Sequence, residues 1–204
     1  EVARTPSPVV IDGTTLLNDT YYTITDGSTV VANGSKGNYN AIYDSANKTL
    51  KLNNAKISTT TENAAIKISE DSTITTITVT GTNELKGNHN HCIESYDNFT
   101  INGTGTLNMT NTNSSSSATS VIHCGPGKSL TIAAEVIIKN EDHPGKLILT
   151  VTDNAYSFAE GYNVYASKNV SGSPLEAYDA AKGSTYKYLR VTKENITPTT
   201  PTTY

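Results

Sequence analysis

A chain of 204 residues with net charge −4, 14 glycines, 12 tyrosines, one methionine and no tryptophan is long enough for one domain. Its wealth of Thr, Asn and Ser suits β-structure dense in turns and argues against a helical protein. The acidic balance, with only Arg4 and Arg190 as arginines, argues against a nucleic-acid partner, and no apolar run reaches the ~18 residues of a membrane helix.

The chain opens on Glu1–Pro8, without a signal peptide's apolar core, so any leader has been removed or lies outside it. Its RTPSP stretch (Arg4–Pro8), like Thr197–Tyr204 at the other end, reads as an extended linker. Thr-Pro linkers join modules of secreted and surface proteins, which makes an extracellular setting the expectation. Sequons such as Asn18, Asn33, Asn98 and Asn102 arise by chance in so Asn- and Thr-rich a chain. Residues 9–40 are expected to form an N-terminal β cap, 41–145 the repeating body and 146–194 a C-terminal β segment. Residues 1–8 and 195–204 fall outside as linkers.

The body repeats. Ile66, Ile93 and Ile122 serve as anchors, separated by 27 and 29 residues. After each comes an alternating apolar pair: Ile77/Val79, Phe99/Ile101, Leu130/Ile132. A bend follows (Thr80-Gly81, Asn102-Gly103, Ala133-Ala134), then a third apolar segment at Leu85, Leu107/Met109 and Val136/Ile138. An earlier unit fits with Leu50/Leu52, Asn53-Asn54 and Ile57. No such unit can bury its apolar face alone, so the copies stack ~4.8 Å apart as parallel strands. The expected fold is all-β: a right-handed parallel β-helix with three faces and about four coils, capped at each end. A β-sandwich is the alternative that also shows short strands and regular turns.

Aligned anchors place Lys67, Glu94 and His123 in one outward ladder of mutually supportive charges. Cys92 and Cys124 fall three residues out of step with opposite facing parity, too far apart for the ~7 Å limit of a disulfide. Direct alignment of the two His-Cys pairs would instead permit the bond.

The corner after each third strand is long: Ser58–Asn63, Lys86–His91, Asn111–Ser120 and Lys139–Gly145. Long loops piled on one edge often mark a repeat protein's binding face. His89, His91 and His143, with Glu141 and Asp142, sit there, a chemistry that suits a polar ligand or a divalent cation such as calcium. No strong metal spacing is present, and a solvated edge explains the same residues. Aromatic rings with amides and carboxylates also make sugar sites. The tyrosines bunch at the ends, Tyr21, Tyr22, Tyr39 and Tyr43 early and Tyr156, Tyr162, Tyr165, Tyr178, Tyr186 and Tyr188 late. Tyr156, Tyr162 and Tyr165 are the glycan-contact candidates, although capping of the solenoid ends accounts for tyrosine there equally.

Tyr43–Ile57 (YDSANKTLKLNNAKI), followed by AAIKI and CIESYDNFTINGTGTLNMT, resembles a recurring pattern in β-helix modules of secreted and surface proteins of Firmicutes. The late GYNVYASKNVSGSPLEAYDAAKGSTYKYLRV resembles their closing β segment. The likeness spans residues 9–193 and lies in core and turn positions, so it implies a fold and transfers no functional residue. Such modules are often labelled carbohydrate-binding. An enzyme is the rival class, because many β-helices cleave acidic polysaccharides. Lyase chemistry needs carboxylates around calcium and a base, and hydrolase chemistry needs paired carboxylates. Here Glu70, Asp71, Glu84, Glu94 and Asp97 are scattered and no Asp-Asp occurs. The sequence therefore points to a non-catalytic glycan-binding or adhesive module of a larger surface protein. A structural spacer is the second reading and a polysaccharide lyase or hydrolase the third.

Overall fold

The computed structural model describes residues 4–59, 62–70, 75–88, 90–112, 119–150 and 156–198. The chain starts with three antiparallel hairpins. β1 (Pro6–Ile11) and β2 (Thr14–Leu17) turn through Asp12-Gly13, with φ of 41° and 81°. Positive φ at both central residues gives a two-residue turn whose twist matches its strands. β3 (Tyr21–Thr25) pairs with β4 (Thr29–Val31), and β5 (Ala41–Asp44) with β6 (Thr49–Asn53).

From β6 onward the chain coils. β7 (Lys56–Ser58) follows, then β8 (Ile66–Ile68), β9 (Thr75–Thr80) and β10 (Thr82–Gly87) on three successive faces. β11 (Ile93–Ser95) with β12 (Phe99–Asn111), and β13 (Ile122–Cys124) with β14 (Leu130–Asn140), repeat that circuit. β12 and β14 each run through the second corner and supply two faces. β15 (Ile148–Thr150) and β16 (Tyr156–Phe158) begin another rung. β17 (Asn163–Ser167), β18 (Glu176–Ala177), a short 3-10 helix (Ala180–Thr185) and β19 (Tyr188–Thr192) close the end.

The molecule is an all-β parallel solenoid of about three turns. On the first face Ile66, Ile93, Ile122 and Ile148 lie in register, as the anchor spacing requires. On the second, Leu50, Ile77, Ile101 and Ile132 form one core column. On the third, Ile57, Leu85, Met109 and Ile138 form another. Ile66, Ile93, Ile77, Ile101, Ile132 and Ile138 are all fully buried, each contributing ~1.5–3 kcal/mol by leaving water.

Four expectations need correction. The coil count is about three, because the earliest unit has strands on only two faces. Its place on the first face is taken by β1, which runs antiparallel to β8. The Phe99/Ile101 pair slides by two residues against Ile77/Val79. Ile101 meets Ile77, Phe99 meets Thr75, and Gly103 opposes Val79; apolar alternation alone cannot fix a two-residue slip, because it keeps every side chain on the same face. The first linker ends sooner than expected, since β1 begins at Pro6, an N-terminal strand position that proline tolerates. Finally, the cysteines do not face opposite ways. Both are free and both are buried. Cys92 sits in the corner before β11, outside strand alternation, and its thiol donates to the Leu85 and Thr110 carbonyls at 3.5 and 3.3 Å. Cys124 pairs in register with Ser95.

The corners explain the glycine and asparagine content. Gly103 has φ +122°, and a Cβ there or on Gly105 would overlap the backbone of the coil beneath, at Val79 and Gly81. Asn83, Asn111 and Asn140 are completely buried. Asn140 donates to the Thr119 and Lys146 carbonyls at 3.1 Å and accepts from His143 N–H at 3.0 Å. Turn backbone that no ladder satisfies is thus hydrogen-bonded from inside.

Candidate functional site

Stacking gives each face an outer surface whose chemistry follows from the residues between the core positions. On the second face the core column leaves Thr76, Thr100, Thr131 and Ser157 in register, one to a rung, and Thr49 continues the column as a buried residue whose hydroxyl donates to the Asn47 carbonyl at 3.0 Å. Two residues along lies a second column: Lys51, Thr78, Asn102 and Ala133. Rungs are ~4.8 Å apart and the columns ~6.6 Å. Threonine suits this place, since its branched Cβ fits the pleated strand while the hydroxyl faces out.

Several of these groups are held by one another. Thr78 Oγ1 donates to Asn102 Oδ1 at 2.7 Å, across one rung. The Thr131 and Ser157 hydroxyls are 3.2 Å apart. At the N-terminal end the second column continues through Ile42 to Tyr21. The rings of Tyr21 and Tyr39 lie 5.3 Å apart at 60°. Lys51 Nζ donates to Asp44 Oδ2 at 2.7 Å, and Asn47 Nδ2 donates to the same oxygen at 2.9 Å. The Lys51 bond, followed by that of Asn47, holds the Asp44 carboxyl at a pKa of about 2. Lys51 and Asp44 therefore neutralise each other, and the two columns from Thr76 to Ser157 and from Thr78 to Ala133 are hydroxyl, amide and methyl.

The first face differs. Lys67, Glu94 and His123 form the expected outward ladder, with Lys67 Nζ 3.6 Å from Glu94. Tyr96 donates its hydroxyl to Glu94 at 2.8 Å, and the Lys67 ammonium lies 5.4 Å from the Tyr96 ring centre. His123 stacks on His91, centroids 4.9 Å apart and planes 22°. His91 Nδ1 meets the Ser120 carbonyl at 2.7 Å, and burial drives its pKa below the ordinary histidine value.

The residues expected to bind ligand do not converge. His89 lies outside the described residues. His91 is turned into its stack with His123. Glu141 and Asp142 are exposed, and His143 is half-buried with Nε2 unbonded. Among the described residues no three His, Cys, Asp or Glu side chains gather as a metal site. The late tyrosines are tied down internally. Tyr156 shares a 2.6 Å hydrogen bond with Tyr178, Tyr162 donates to the Ala133 carbonyl at 2.9 Å, and Tyr165 donates to Asn195 at 3.3 Å. They close the solenoid end, as the capping alternative holds. Three carboxylates of the coils lie beside lysines: Glu84 by Lys56, Glu94 by Lys67 and Asp97 by Lys128.

Beside β17 a cleft of about 440 Å³ is lined by Ser167, Lys168, Asn169, Pro174, Leu175, Glu176 and Lys182. Lys182 already faces Glu176 at 3.9 Å and Asp179 at 3.6 Å. The threonine columns were present in the sequence as Thr-Ile-Thr, Thr-Ile-Asn and Thr-Ile-Ala around Ile77, Ile101 and Ile132. Attention to the apolar residue of each triplet hid its outward partners. No protein-family model matches the chain, and comparison with curated proteins and with solved structures finds no significant match.

Proposed function

We propose that this chain is a non-catalytic, glycan-binding module of a secreted or surface protein, and that it binds through the outer second face. One observation carries the reading: hydroxyl and amide side chains repeat in register on a sheet face whose column lysine, Lys51, is neutralised by Asp44. Sugars offer the complement, hydroxyls for hydrogen bonds and CH faces for methyl and ring contacts. Tyr21 and Tyr39 supply aromatic surface at one end of that face. Glu84, Glu94 and Asp97 each lie beside a lysine, which argues against acid–base catalysis by them, since that chemistry needs carboxyl groups held apart in protonation state.

Affinity electrophoresis through gels cast with neutral and acidic polysaccharides tests this. The wild-type chain is expected to be retarded, and Thr100→Arg, centred on the face, to migrate freely. Unretarded migration in every gel would favour the spacer reading, which draws on the capped ends and internally bonded tyrosines. Release of reducing sugar or of an unsaturated product would establish an enzyme instead.

A further inference from the structure

Resting on the glycan-binding reading, we propose that the ligand is a neutral, extended, equatorially β-linked polysaccharide lying along the solenoid axis with one sugar over each coil. Period, charge and shape each support it.

The period is set by the backbone. Thr76, Thr100, Thr131 and Ser157 recur once per coil in an uninterrupted register, and parallel strands fix that repeat at ~4.8 Å. An equatorially linked pyranose chain is a flat ribbon that advances by about one ring length per sugar, close to that repeat. Successive sugars therefore meet equivalent hydroxyls. An α-linked chain curls, and touches a flat face over only one or two units.

Charge selects among ribbons. Lys67, Glu94, Lys56 and Glu84 stand on the other two faces. On the second face Lys51 is closed onto Asp44 at 2.7 Å and Lys48 is exposed only at the turn before Thr49, so among the described residues no cation recurs from rung to rung to meet the carboxylates of a uronate chain. A polyanion would lose its hydration there with nothing in return. The cleft beside β17, with Lys168 and Lys182, offers cations but no run of rungs.

Shape comes from order. The Thr78–Asn102 bond and the Thr131–Ser157 contact hold side chains across neighbouring rungs before any ligand arrives. Donors fixed in advance reduce the ordering cost of binding.

Isothermal titration with β-linked neutral oligosaccharides of increasing length, beside α-linked and uronate series, tests the proposal. Affinity is expected to climb with each added sugar until the chain spans the four accessible rungs of the first column, Thr76 to Ser157, and then to level. Thr76→Val and Thr131→Val should each weaken the longest oligomer severalfold, and Thr100→Arg by about tenfold or more, ~1.4 kcal/mol per decade. Thr100→Val keeps the strand-favouring shape and serves if the arginine variant fails to fold. Glu94→Gln on the first face should leave affinity unchanged. Binding confined to α-linked or acidic glycans, or affinity flat with length, would overturn this assignment and leave glycan binding intact. No binding to any series would overturn both.

Discussion

The three coils and the two ends are built on opposite principles. In the coils a residue's neighbour above and below is its own counterpart, Ile66 on Ile93 on Ile122, so a choice made once is repeated. The ends are made of single-copy parts. β1 and β5 meet the coils through antiparallel pairings, as does β19 against β14. Tyr178 and Tyr186 fill the C-terminal end with rings 5.8 Å apart. Errors in the coils are therefore felt by two neighbouring rungs, whereas the ends can absorb change locally.

Two glycines, one in a coil and one at an end, test the contrast. Gly105→Val drives a side chain into the Gly81 backbone and should cost ~2–4 kcal/mol. Gly161→Ala, unlike a change at Gly105, has to hold a positive φ, 82°, but it meets open space and should cost ~1–2 kcal/mol. Urea titrations of both variants measure the gap, and equal losses would remove the contrast.

Aromatic residues should follow the same order. Phe99 is 2% exposed at the start of β12, and Phe99→Ala should cost ~3–5 kcal/mol. Tyr162→Phe removes one hydrogen bond to Ala133 and should cost ~1 kcal/mol. Denaturant midpoints separate the two.

The smallest effect is acid-dependent and sharpens the picture of the coil corners. Burial, opposed by the Ser120 carbonyl and reinforced by His123, holds His91 below its ordinary value of 6.5, while Glu94 acts the other way. The unfolded chain then takes up the proton more readily, so stability is full above pH ~6.5 and falls as pH drops through that value. Thermal melts between neutral and mildly acidic pH should show this decline, and His91→Gln should flatten it.

This division also governs what could be read from the chain. The core columns were legible because Ile, Leu and Val recur at fixed intervals and stacking rewards recurrence. The two-residue slip at Phe99 was not, since parity is preserved and only the glycine corner decides, where Gly103 must lie over Val79. Cys92 defeated the facing rule because it stands in a corner rather than a strand. The ends were barely legible, because nothing in a unique hairpin repeats to announce its partner. The outer second face was written in plain residues, but its meaning depends on register, which the chain states only after folding.

The antiparallel strands at the two ends have one more consequence. β1 covers the N-terminal coil on the first face and β19 the C-terminal coil on the third, so the body between them is where a further coil would disturb neither closure. Duplicating a unit of 27 or 29 residues inside the body, as the anchor spacing defines it, would lengthen the hydroxyl face by one rung and leave both closures untouched. Under the glycan-binding proposal, the length of ligand bound is thus a heritable quantity, adjustable in whole sugars.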